Sequence, residues 1–75
     1  MKKLSNISLK EFRNFLSSQG LSPIRSKGGH EAWMKAGMSR PVIVQSHIDP
    51  VPVDVVINNL RTLGISKTDF LAFFE

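Results

Sequence analysis

An α+β fold is predicted for this 75-residue chain, and three observations predict it. Ser8 followed by Glu11 is the signature of a capped helix start. Gly28-Gly29 between two alternating segments closes a tight two-residue hairpin. Val53, Val56, Ile57, Leu60 and Leu63 recur at helical spacing until Gly64. The resulting order is helix, three antiparallel strands, helix and a short C-terminal helix. A chain of this length forms one domain, residues 1–75, and buries roughly 60% of its unfolded surface.

The first helix is expected over residues 8–19. Ser8 and Glu11 satisfy each other's orphan backbone donors, and Ile7 with Phe12 occupies the hydrophobic-staple positions. Leu9, Phe12, Phe15 and Leu16 make one apolar stripe that Gly20 stops. Strands are expected over residues 23–27, 30–36 and 41–46, the last two joined by a Gly37-Met38-Ser39 turn. Pro50 and Pro52 suit the entrance of the second helix. Ser66, with Asp69 three positions on, caps a last helix carrying Phe70, Leu71, Phe73 and Phe74, expected to pack on the second helix.

Two helices with single apolar stripes cover one face of a three-stranded sheet and leave the other open. Around the Gly-Gly turn, Lys27 pairs with His30, Ser26 with Glu31, Arg25 with Ala32 and Ile24 with Trp33, and successive pairs alternate between faces. Ile24 and Trp33 are therefore expected as a buried pair, with Arg25, Lys27 and His30 together on the open face. Glu31 and Lys35 fall on Trp33's side and are expected to reach water at the strand ends.

The net charge of +4 is unevenly distributed. Residues 1–21 and 22–45 each carry +3, whereas residues 46–75 carry −2. The positive field belongs to the first helix and the hairpins, and a polyanion, nucleic acid first, is its natural partner. Cysteine is absent, which removes disulfides and thiolate metal sites. Ser5, Asn6, Ser8 and Lys10 interrupt the apolar run that a secretion signal needs, and no stretch spans a bilayer. A cytoplasmic location is expected, with no membrane partner.

His30 stands out chemically, because imidazole exchanges protons near neutrality and a fixed cation lies directly opposite. His47 reads as a polar loop residue. The two histidines, with neither cysteine nor a spaced carboxylate, fall short of the three protein ligands of a catalytic zinc, so no metal or cofactor is expected.

Lys27-Gly28-Gly29-His30, the aromatic Trp33, Arg40-Pro41-Val42-Ile43-Val44 followed by Ser46-His47, and Leu60-Arg61-Thr62-Leu63-Gly64-Ile65-Ser66 together resemble the HicA toxins of HicAB toxin–antitoxin systems. The likeness runs over residues 8–70, and its specificity lies in order and spacing. It implies a fold like the double-stranded RNA-binding domain, an mRNA interferase activity with one essential histidine, and a HicB-like antitoxin that binds and blocks the toxin. It implies no direct DNA binding except through the antitoxin complex. The family's catalytic histidine maps to His30 and the preceding glycine to Gly28. Many members carry Ser where this chain has Gly29.

The implied reaction needs neither metal nor cofactor: a base takes the proton of a ribose 2′-hydroxyl, and that oxygen attacks the adjacent phosphorus. His30 would be that base or its acid counterpart. Lys27 and Arg25 would hold the phosphate and stabilise the charge growing on its oxygens. Gly28 and Gly29 at the turn, with Lys35 and Arg40, complete the expected RNA-binding residues. Two rival functions use the same face: a non-catalytic module of the double-stranded RNA-binding type, and an adaptor that meets an acidic protein. Cleavage separates the first rival from an enzyme, and salt-dependent RNA affinity separates the second.

Overall fold

The computed structural model describes residues 2–75. After a 3-10 turn at Leu4–Asn6 come α1 (Leu9–Ser18), β1 (Ser22–Lys27), β2 (His30–Met34), β3 (Val42–Gln45), α2 (Val53–Leu63) and α3 (Lys67–Ala72). The strands form one antiparallel sheet in the order β1-β2-β3. Among the described residues no helix is long and apolar enough to cross a membrane.

Local chemistry sets these boundaries. Ser8 Oγ accepts from the Glu11 amide at 3.0 Å, while Glu11 Oε1 accepts from the Ser8 amide at 2.9 Å, closing the expected capping box. Asp49 adds a tertiary cap, its Oδ1 accepting from the Leu9 amide at 3.0 Å. Gly64 ends α2 in the left-handed region, and Ser66 Oγ accepts from the Asp69 amide at the start of α3.

The core lies on one face of the sheet. Leu9, Phe12, Phe15 and Leu16 of α1 meet Trp33, Val42 and Val44 of the sheet, Val56 and Leu60 of α2, and Phe70 of α3. Each such side chain contributes about 1.5–3 kcal/mol when fully buried. α3 finds its ring partners on α1: Phe70 meets Phe15 edge-on at 4.7 Å and Phe12 at 6.0 Å, and Phe73 reaches Phe15 at 5.4 Å. α2 runs beside the outer edge of β3, where the buried Asn59 Nδ2 donates to Ile43 O at 3.0 Å and satisfies an edge carbonyl.

Three expectations are corrected. The hairpin register is as expected for Lys27–His30, Ser26–Glu31 and Arg25–Ala32, but Trp33 pairs with Pro23 across a bulge that leaves Ile24 unpaired. Trp33 is buried as expected, whereas Ile24 is 56% exposed. The bulge directly follows Pro23, which has no N–H to offer the ladder. Glu31 does not escape to water. Arg13 of α1 holds it through both carboxylate oxygens, and Trp33 Nε1–H donates to it at 3.0 Å. Finally, β2 and β3 are shorter than expected at the Gly37 end, where residues 35–41 form the connection.

Candidate active site

The open face is built by alternation. Because Trp33, Val42 and Val44 point into the core, Ala32, Ile43, His30 and Gln45 point away from it, and Arg25 and Lys27 join them as cross-strand partners of Ala32 and His30. Arg25, Lys27 and His30 are all exposed. Ala32, in the middle strand between Arg25 and Ile43, is covered by its larger neighbours and is the one buried residue of this face.

Gly28 and Gly29 form the turn with φ of 59° and 79°. Positive φ at both central positions is the type I′ geometry, whose twist matches that of the flanking strands and keeps Lys27 opposite His30. The turn also orients the imidazole: His30 Nδ1 lies 3.2 Å from Gly28 O. A carbonyl oxygen only accepts, so the proton of a neutral His30 ring sits on Nδ1, and Nε2 keeps its lone pair free.

One residue here outgrows its sequence reading. His47 packs against the same turn, with its Nδ1 3.3 Å from Gly29 O and its ring T-shaped to His30 at a centroid separation of 6.1 Å. The Ser46 amide donates to the same Gly29 oxygen at 2.8 Å, so the end of β3 is stitched to the hairpin tip. Gln45, the cross-strand partner of His30, is a second neighbour of the site that spacing within the first hairpin does not reach. The signal for both was the distance from the Gly37-Met38-Ser39 turn, which fixes what β3 sets beside His30.

The expected basic residues divide between two places. Arg25, Lys27, Gly28, Gly29 and His30 come together at one end of the sheet. Lys35 and Arg40 lie at the other, about 17 Å away for five residues of strand. There they line a cleft of about 550 Å³ with Arg61 of α2, Ser39 and Thr62, and no carboxylate lines it. Lys35 Nζ donates to Gln19 O at the C-terminal end of α1, at 3.0 Å. Among the described residues no three His, Cys, Asp or Glu side chains are grouped so as to hold a metal ion.

The site's support comes from Glu31, which neighbours His30 in β2 and points to the core. The Arg13 guanidinium holds its carboxyl below the usual carboxylate range, against the opposing effect of burial, and the Trp33 indole N–H lowers it further. The same contact raises Arg13 above the ordinary guanidinium value. β2 is thereby fixed to α1 one residue from the imidazole.

No family model, curated protein or solved structure matches the chain.

Proposed function

We propose that this protein is a metal-independent endoribonuclease of the HicA type, an mRNA interferase whose α-β-β-β-α core corresponds to the double-stranded RNA-binding fold and whose activity a HicB-like antitoxin restrains. The observation that carries the reading is the exposed Lys27–His30 pair at a tight glycine turn on the uncovered face of the sheet. The order of motifs from Lys27 to Ser66 supports it, as does the concentration of positive charge in residues 1–45.

The geometry translates into a reaction. His30 Nε2, left free by the Nδ1 contact to Gly28 O, takes the 2′-hydroxyl proton of a ribose laid across the hairpin tip. Lys27, across the turn, and Arg25, about 7 Å further along β1, face the charge that accumulates on the non-bridging phosphate oxygens. Acid–base catalysis of this kind contributes about 10²–10⁴ in rate, roughly 3–5 kcal/mol of barrier. A slow nuclease results, which is enough for a toxin acting on a small pool of messenger RNA.

The test is incubation of the purified protein with single-stranded RNA in EDTA, beside His30→Ala. Cleavage by the parent that disappears in a variant still able to bind RNA is the expected result. Equal survival of the RNA with both proteins, each bound to it, would identify a binding module instead. Absence of RNA affinity at low salt would leave the protein-binding adaptor.

A further inference from the structure

We propose that His47 is a second catalytic group, the acid that protonates the departing 5′-oxygen while His30 acts as the base; this deepens the nuclease reading and rests on it. The two imidazoles form a pair at one turn. Gly28 O faces Nδ1 of His30 at 3.2 Å and Gly29 O faces Nδ1 of His47 at 3.3 Å. Consecutive carbonyls thus anchor both rings by the same nitrogen and leave both Nε2 atoms for a substrate. Both rings are exposed, and their T-shaped separation of 6.1 Å lets the two Nε2 atoms address oxygens of one phosphodiester.

Cleavage of RNA by its own 2′-hydroxyl requires two proton transfers. A single imidazole beside a lysine supplies one of them well. In the complete step, His30 Nε2 removes the 2′-hydroxyl proton, the 2′-oxygen forms a bond to phosphorus, and the bond from phosphorus to the 5′-oxygen breaks. Protonated His47 gives its Nε2 proton to that oxygen while its Nδ1–H continues to donate to Gly29 O. The products are a 2′,3′-cyclic phosphate and a 5′-hydroxyl, and the two rings exchange protons with solvent to reset.

A leaving-group substitution tests this. The bond the parent cleaves is mapped in a short RNA, and that linkage is then made with sulfur in place of the 5′-bridging oxygen, because a thiolate departs without an acid. His47→Ala and His47→Asn, the latter keeping an N–H for Gly29 O, are each expected to slow cleavage of ordinary RNA by about 10²-fold or more. Both should cleave the sulfur-bridged RNA within about tenfold of the parent, whereas His30→Ala should fail on both substrates. Unchanged cleavage of ordinary RNA by the His47 variants, or an equal loss on the two substrates, overturns the acid role and leaves the nuclease intact. A parent that cleaves neither RNA overturns the nuclease reading and this proposal with it.

Discussion

At the scale of single residues, the two turn glycines do different work. A methyl group at Gly28 meets nothing within 4 Å, whereas one at Gly29 would sit 2.7 Å from His47 Nδ1. Both positions are left-handed, so Ala at either costs about 1–2 kcal/mol of backbone strain. Only Gly29→Ala also drives His47 from its seat. We expect the two variants to lose similar stability in a thermal melt, and Gly29→Ala to lose at least tenfold more cleavage rate. Equal rates would mean that the seating of His47 is immaterial to the chemistry. The Lys27–His30 pair was legible in the sequence, because a two-residue turn dictates what lies opposite what. His47 was not, since its position depends on the length of β3 and on the Ser46–Gly29 hydrogen bond, 17 residues apart in the chain.

At the scale of elements, the capping residues of α1 and α3 and the αL stop of α2 declared themselves because capping is local chemistry. The bulge did not. Alternation in β1 reads without interruption from Pro23 to Lys27, and only the structure shows that Ile24 is the extra residue and that Trp33 faces Pro23. Glu31 shows the same limit. Parity placed a carboxylate on the core side, and it is Arg13, 18 positions earlier, that makes the placement tolerable. This bridge gives stability a definite dependence on pH. Glu31 titrates in the folded protein below its ordinary value of 4.5, so its contribution is complete above that value and is lost as pH falls through the lower, folded one. Glu31→Gln should therefore cost about 1–3 kcal/mol at neutral pH and lessen the fall in stability on acidification, as followed by urea melts between neutral pH and pH 3. Glu11, held low chiefly by Lys2 and also by the Ser8 amide, is partly exposed, more so than Glu31. Added salt should remove its Lys2 component while sparing most of the Glu31–Arg13 bridge.

At the scale of the whole molecule, the positive charge that a one-dimensional reading places on a single face lies at two ends of a sheet. Lys27 and Arg25 flank the imidazoles, and Lys35, Arg40 and Arg61 surround the cleft about 17 Å away. One strand of RNA that engages both ends must span about five nucleotides at the 3.4 Å spacing of a stacked strand. Length and salt then report together on how the surface is used. A trinucleotide, with two internucleotide phosphates, reaches Arg25 and Lys27 alone, and its affinity should fall with a slope of about −1.4 in log affinity against log salt, two phosphate contacts at about −0.7 each. An oligonucleotide of eight or more residues should approach a slope of about −2.8 as Lys35 and Arg40 join. Arg40→Ala should lower the long-RNA slope by about 0.7 and leave the trinucleotide slope unchanged. A slope independent of length would confine the RNA to the hairpin end, and the distant cleft would then have no part in holding the strand that His30 and His47 face.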